Sequence, residues 1–381
     1  MDSYTFFFWQ NSLSPHQMPY IEALSKRDEV LKVYVIVAEI ISEERKAMGW
    51  TSKYENYKNE KLRIIVKPGD PQCHALYDAN TDQSYHFYSG IRGFENVYQY
   101  FLLGLKYRLK RGLITESPYT FAFGKSNGKP LWLHKLRFLL QDRKYIKDIQ
   151  TVFAIGEKAV NYYQFLSKDW QVNPFVYCTE KQNVNNERGS SSKMKFLFVG
   201  SLSARKNPLL LAKAAECLNV TTDFTVDFIG NGEKVIELEN YIKAHQISNI
   251  HLKGHRTIEQ IPEEMAQYDV LVLPSLYDGW GAVVNEALSL GLFVICSDQC
   301  GAKILIQNKK NGIVFKSGSK ESLSKALQWC VDNKNFITQQ NVNIQQWSNR
   351  SLSGSAVAQY FISAIKNSYK INEPWKNPID E

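Results

Sequence analysis

Two short segments of this 381-residue chain carry side chains that can hold a phosphorylated, hydroxyl-rich ligand. The first is Gly200-Ser201-Leu202-Ser203-Ala204-Arg205-Lys206-Asn207-Pro208, directly after an apolar run of strand length. Asn207 followed by Pro208 predicts a helix start with Asn207 as its cap. The free N–H groups of such a start favour an anion, and Arg205 and Lys206 add two positive charges beside them. Taken alone, the segment reads equally well as an ordinary strand-to-helix turn with surface cations. The second segment is Pro274-Ser275-Leu276-Tyr277-Asp278-Gly279-Trp280-Gly281, ahead of a helix expected from Ala282. Asp278 precedes that helix and Glu286 stands about one turn into it, so both carboxylates border one small volume. Gly279 and Gly281 leave the backbone around Trp280 free to approach a ligand without Cβ interference. Carboxylates accept from hydroxyls while amides hold phosphate oxygens. The competing reading is a pair of acids that only stabilise a helix start.

Weaker candidates surround these two. Gly230-Asn231-Gly232-Glu233 is too short for a dinucleotide fingerprint and reads as another strand-to-helix turn. Gly254-His255-Arg256 ends a strand and could meet a base through backbone groups. In the first half, Asn11–Gln17 follows the first strand and contains Ser14 and His16, while His134 lies beside Lys135 and Arg137. A lone histidine is more often structural than catalytic. No Asp-x-Asp pair occurs, so the usual carboxylate clamp for a divalent ion is missing and no metal is expected. Cys296 and Cys300 lack partners at zinc spacing and read as packing residues. Neither a Gly-x-Ser-x-Gly elbow nor a Gly-x-x-x-x-Gly-Lys-Ser/Thr loop is present, which weakens hydrolase and ATPase readings.

The elements that must position these residues alternate in type. Strands are expected at 4–9, 32–38, 62–67, 84–88, 113–115 and 152–155, then at 195–199, 225–229, 250–253, 270–273, 293–296 and 312–315. Between the later strands the pattern predicts helices over 208–218, 233–245, 258–267, 282–290 and 320–331. Phe94, Val97, Tyr98, Phe101, Leu102, Leu105 and Leu109 form one helical stripe in the first half. Continuous apolar strands separated by amphipathic helices imply parallel sheets covered on both faces. The polar run TEKQNVNNERGSSSK marks a linker. The expected organisation is a first domain at 1–180, a linker at 181–193, a second domain at 194–347, and a tail at 348–381 whose helix packs back on the first domain. Two doubly wound domains of this kind would face each other across a cleft.

Composition sets the outer bounds. The chain is 44% hydrophobic and 22% charged, as expected of a globular protein. No apolar run reaches the roughly 18–20 residues of a membrane span, and the first residues show no basic, cleavable leader. Six scattered cysteines fit reduced thiols in a cytoplasmic protein better than a disulfide framework. The net charge is +8. Between Leu103 and Asp148 eleven basic residues stand against three acids, so this stretch alone carries 11 − 3 = +8. Such a concentration attracts phosphates, nucleic acid or an anionic bilayer, and a solvated surface is the plain alternative.

With these residues laid out, the second half resembles a family 4 glycosyltransferase, a retaining group with the GT-B fold of two Rossmann-like domains. The likeness runs through FLFVGSLSARKNP, FIGNGE, YDVLVLPSLYDGWGAVVNEALSLGLFVICSD and NGIVF, and includes an acid–seven residues–Glu signature filled by Asp278 and Glu286. First-half segments such as NSLSPHQ, HFYSG, ITESP and NPFVYC resemble members that build bacterial capsule, O-antigen and other surface polysaccharides. The resemblance implies transfer from a nucleotide-diphosphate sugar, UDP- or GDP-linked, to a glycan or lipid-linked acceptor, with no cofactor or nucleic-acid partner. It implies that Arg205 and Lys206 hold the diphosphate and that Glu286 binds the ribose. Asp278 and His134 would contact the donor sugar. Backbone groups at Gly200, Gly232, Gly279, Trp280, Gly281 and Arg256 would line the donor site, and Ser14 and His16 the acceptor loop. Asp278 replaces the family's commoner Glu, Ser201 stands where many members have a basic residue, and the Ser12–His16 loop lacks the usual glycines. The implied location is the cytoplasm, at the inner face of the membrane. A nucleotide-sugar epimerase of the same fold, or an inactive transferase serving as a basic tether, are the competing readings.

Overall fold

The computed structural model describes residues 3–41, 46, 54, 57, 59–118, 131–180, 182, 184, 193–218, 223–366 and 371–380. The chain divides into two compact units, Met1–Cys178 with Gly354–Asn372, and Thr179–Ser353 with Glu373–Glu381. Most of the expected linker lies outside the described residues.

The first unit is built on seven strands: β1 (Tyr4–Ser12), β2 (Val30–Glu39), β3 (Leu62–Val66), β4 (Ser84–Tyr88), β5 (Lys110–Glu116), β6 (Thr151–Ile155) and β7 (Gln171–Phe175). They form one sheet in the order β3-β2-β1-β4-β5-β6-β7, with every pairing parallel. A strand buried on both faces needs no polar alternation, and β1 reads YTFFFWQNS for that reason. Phe6 and Phe8 face Phe361 of the helix Gly354–Ile365, with ring centroids 5.5 and 6.0 Å apart. Phe7 and Trp9 point the other way, onto His86 and Tyr77 at 4.2 and 4.8 Å. Phe361 also stacks on Phe153 at 4.5 Å, so a helix from the end of the chain completes one face of this core. Burying one such phenylalanine stabilises the unit by about 1.5–3 kcal/mol. Close approach is possible because residue 354 is glycine: a Cβ there would lie 2.2 Å from the Pro19 carbonyl oxygen.

The tail expected as one piece over 348–381 divides instead. Residues through Ser351 finish the helix Lys334–Ser351 of the second unit, and only Gly354–Asn372 joins the first. The last residues return to the second unit because Trp347 and Gln307 donate to the Asn377 carbonyl at 2.8 and 2.7 Å and Trp375 is buried.

The second unit holds six strands: β8 (Met194–Val199), β9 (Phe224–Ile229), β10 (Ile250–Gly254), β11 (Val270–Leu273), β12 (Phe293–Ser297) and β13 (Gly312–Phe315). Their order is β10-β9-β8-β11-β12-β13, again all parallel. The chain reverses its direction of winding between β8 and β11. In sheets of this type that point leaves a crevice at the strands' carboxyl ends, and ligands bind there. Both segments singled out in the sequence follow the two strands that flank it.

Candidate functional site

The loop after β8 is held by its neighbour after β9. Leu202 donates to the Asn231 carbonyl at 2.9 Å, Lys234 donates to the Leu202 carbonyl at 2.8 Å, and Ala204 donates to Glu233 Oε1 at 2.9 Å. Gly230 and Gly232 have φ of +143° and +156°. A Cβ on Gly230 would sit 1.9 Å from the Gly200 carbonyl oxygen, and one on Gly232 would sit 2.5 Å from that of Leu202. The Gly-Asn-Gly-Glu turn is therefore a backbone rest for the Gly200–Lys206 loop. The turn is legible in the sequence, but the tie of Glu233 to Ala204 and the supporting role of Gly230 are not, because the two loops are about thirty residues apart and meet only through strand order.

Asn207 takes a left-handed conformation, φ +53°, and its side chain makes no capping hydrogen bond to the helix Pro208–Ala215. The expected cap is thus not formed: Asn207 holds a left-handed backbone in place of the extended one a capping residue usually takes, and Pro208 stands at the helix start. What the turn achieves is the placement of the two preceding cations. Leu276 donates to the Arg205 carbonyl at 2.9 Å, joining the loops after β8 and β11. Arg205 Nη1 donates to the Tyr277 carbonyl at 3.1 Å and lies 3.6 Å from Asp278 Oδ2. Lys206 Nζ forms an ion pair with the same Asp278 oxygen. Two cations thus converge on one carboxylate at the switch point of the sheet, with the Arg205 side chain well exposed and that of Lys206 mostly covered.

Glu286 lies in the short helix Val283–Ser289 that follows. Enclosure of its carboxyl pushes the pKa up to about 7, against the opposing pull of the Lys206 charge. The pH dependence follows from this. A carboxylate that accepts from hydroxyls must be ionised, so affinity for a hydroxyl-bearing ligand held by Glu286 should rise about tenfold from pH 6 to pH 8. For the fold the sign is opposite: a raised pKa favours the protonated folded state, so its contribution is present below about 4.5 and lost as pH rises through about 7. Titration calorimetry across that range should show the affinity trend in the native chain and a flat profile in Glu286→Gln. An unchanged slope in the variant would remove Glu286 from the site.

Gly281 serves the protein's own packing. Gly281 has φ +92°, and a Cβ there would lie 2.7 Å from Cys300 Sγ and 2.8 Å from Leu273. The Gly279 carbonyl oxygen would be 2.1 Å from a Cβ on Gly301. Trp280 is buried, its indole donating to Asn285 Oδ1 at 2.7 Å and its carbonyl accepting from Ala302 at 2.8 Å. Its side chain is a wedge that fixes the loop, and only its backbone can face a ligand. Arg256 is tied to its own loop: Nε donates to Glu264 at 3.0 Å and Nη1 to the Lys253 carbonyl at 2.8 Å.

In the first unit, Ser14 and His16 lie in the loop after β1. The Ser14 carbonyl accepts from Gln17 and Met18 at 3.0 and 2.9 Å, and the His16 carbonyl accepts from Cys178 at 3.0 Å. The His16 ring stands 6.0 Å from that of Tyr177, whose hydroxyl donates to Glu116 at 2.7 Å. Glu116 and Tyr177 therefore join this carboxyl-end cluster, which residue types alone did not reveal. His134 is part of the helix Leu131–Gln141, and its side chain lies outside what the structure describes. Arg111, one of the eleven basic residues of the Leu103–Asp148 stretch, is buried; its Nη2 donates to the Tyr107 carbonyl at 2.8 Å and also to that of Gly104.

This arrangement can be set beside known proteins. Residues 180–347 match the family model of glycosyl transferases group 1. The chain is 32% identical over 146 residues to an Escherichia coli UDP-Gal:alpha-D-GlcNAc-diphosphoundecaprenol alpha-1,3-galactosyltransferase, covering 36% of this chain and 37% of that protein. It is 26% identical over 204 residues to a Campylobacter jejuni alpha-1,4-N-acetyl-D-galactosaminyltransferase whose named acceptor is a diphosphoundecaprenol-linked trisaccharide, covering 52% and 55%. The matches thus span about half or less of those relatives. Among solved structures, Anabaena HepE in complex with UDP superposes with a TM-score of 0.67 over 96% of this chain and 100% of that one, at 14% identity. The apo form of the lipopolysaccharide outer core galactosyltransferase WaaB gives 0.67 over 95% and 99%, at 13% identity. The fold is that of the GT-B glycosyltransferases.

Proposed function

We propose that this chain is a retaining, family 4 glycosyltransferase. It moves a sugar from a UDP- or GDP-linked donor to a glycan or lipid-linked acceptor in bacterial surface polysaccharide synthesis. The observation that carries the reading is the convergence of Arg205 and Lys206 on Asp278 Oδ2 beside the switch point of the second sheet. Separating a sugar cation from a diphosphate is the costly step, and fixed positive charge at the leaving group is the kind of preorganisation that contributes most. Arg205 and Lys206 supply that charge. Asp278 holds both cations until a diphosphate takes over part of their pairing, and its carboxylate is then free to accept from a donor-sugar hydroxyl. Glu286, once ionised, accepts from the ribose. A donor phosphate oxygen takes the acceptor's proton on the face the leaving group departs from, which preserves the anomeric configuration. Ser14 and His16 belong to the acceptor side and His134 to the donor sugar.

Support for the acceptor class comes from the two relatives, whose names specify diphosphoundecaprenol-linked glycans. The test is transfer from UDP- and GDP-sugars to a short diphosphoundecaprenol-linked saccharide in the presence of a chelator, with the product's anomeric configuration read by NMR. Transfer with retention is expected, undiminished by the chelator. An inverted product would overturn the mechanism, and no transfer from any donor would overturn the activity.

A further inference from the structure

The helix Leu131–Gln141 of the first unit presents an apolar face that nothing among the described residues covers. Trp132 is 61% exposed, Leu140 78%, Leu136 44% and Leu139 39%, four of the chain's large exposed hydrophobics within one short helix. At about 100° per residue, Leu139, Trp132, Leu136 and Leu140 fall within an arc of about 100°. Phe138 lies on the opposite side, buried, with its ring 5.4 Å from that of Trp170. This helix is therefore anchored by one side and offers the other. Lys135 and Arg137 flank the apolar arc on either edge, and Arg143, Lys144 and Lys147 continue as exposed cations in the turn Arg143–Asp148 that follows. Lys135 extends its ammonium 4.6 Å over the Phe165 ring, which orients that charge at the border of the arc.

We infer that this face docks on an anionic bilayer. The chain uses the arc as a shallow interfacial wedge and the cations as partners for lipid headgroups. Charge complementarity selects this occupant, because the apolar stripe is bordered by Lys135 and Arg137 and the adjacent Asp142 is already neutralised by Arg92 at 2.7 Å, which is the pattern of helices that lie in the plane of an anionic interface. The helix lies within the basic stretch Leu103–Asp148, but two aromatic residues of that stretch, Phe138 and Tyr145, take no part in the face. Both are buried, and Tyr145 packs against Phe101 at 5.2 Å. Among the described residues no helix is long and apolar enough to cross a membrane, so the contact is one of surface adhesion. The inference rests on the transferase reading only in that a lipid-linked acceptor would be met at such a surface.

The test is co-sedimentation of the full chain with vesicles of phosphatidylcholine alone or mixed with phosphatidylglycerol, at low and high salt. The native chain should partition at least tenfold more strongly onto the mixed vesicles, and high salt should weaken that binding. Leu136→Ser/Leu140→Ser and Lys135→Gln/Arg137→Gln should each lose at least tenfold, with unchanged thermal unfolding. The Trp132 contribution to the fluorescence, isolated against Trp132→Phe, should be quenched by brominated acyl chains. Equal binding to both vesicle types, or by native and variant chains, would overturn the proposal. So would a native dimer that the Leu136→Ser/Leu140→Ser change converts to monomer without any effect of lipid. Stabilisation by UDP or GDP, measured on the same samples, reports on the transferase reading separately.

Discussion

Replacing Lys206 with alanine is expected to lower kcat/KM for sugar transfer by about 10²–10³-fold while the chain still folds. Lys206 is the mostly covered cation of the pair, ion-paired to Asp278 and placed by the left-handed turn at Asn207. A positive charge in that position is worth far more to a departing diphosphate than one in solvent. The fold should survive because Arg205 Nη1 still lies 3.6 Å from Asp278 Oδ2, and because the two loops stay joined through the Leu276 to Arg205 backbone bond. Steady-state kinetics with the preferred donor, paired with thermal unfolding, checks both halves. Activity within about threefold of the native chain would show that the leaving group is stabilised elsewhere.

Gly230→Ala should be the most damaging single-methyl change in the second unit. The new Cβ would lie 1.9 Å from the Gly200 carbonyl oxygen, and the neighbour is backbone, which has no rotamer to yield. The residue also holds φ +143°, which L side chains rarely adopt. Backbone strain of about 1–3 kcal/mol and overpacking of about 1–3 kcal/mol together set the expected loss of stability at about 2–6 kcal/mol. Relief comes from pushing the Gly200–Leu202 backbone away, so affinity for nucleotide should fall with stability. Gly254→Ala is the control. That glycine has φ +71° with nothing within 4 Å of the added Cβ, so only the conformational cost of about 1–2 kcal/mol remains. Calorimetric unfolding of the two variants should separate them clearly; equal losses would show that the loop-on-loop contact does not position the site.

Much of the scaffold was legible because it is written in local patterns. Apolar runs such as FLFV and VLVL, each followed by a helical stripe, are the mark of strands covered on both sides, and they reappear as β8 and β11. The strand β7 was not legible. Gln171, Asn173 and Pro174 break the apolar run, and the sheet tolerates them because β7 is its edge, where a missing N–H is not needed for the ladder. The site was legible as two loops but not as one constellation. Lys206 and Asp278 are 72 residues apart, and only the order β8-β11 brings them together. The reason for Gly281 was also hidden, since the atoms that forbid a Cβ belong to Leu273 and Cys300. The family resemblance supplied the roles; the strand order and the Asp278 ion pairs supply the physical arrangement in which those roles can be tested.

The proposed function requires the loops after β8 and β11 to hold a nucleotide diphosphate. Its most direct test is titration calorimetry of UDP and of GDP at pH 8 into the native chain, Lys206→Ala and Glu286→Gln. One nucleotide should bind the native chain at a single site, with at least tenfold weaker binding in each variant. Absence of binding by both nucleotides, or native affinity in both variants, would contradict it.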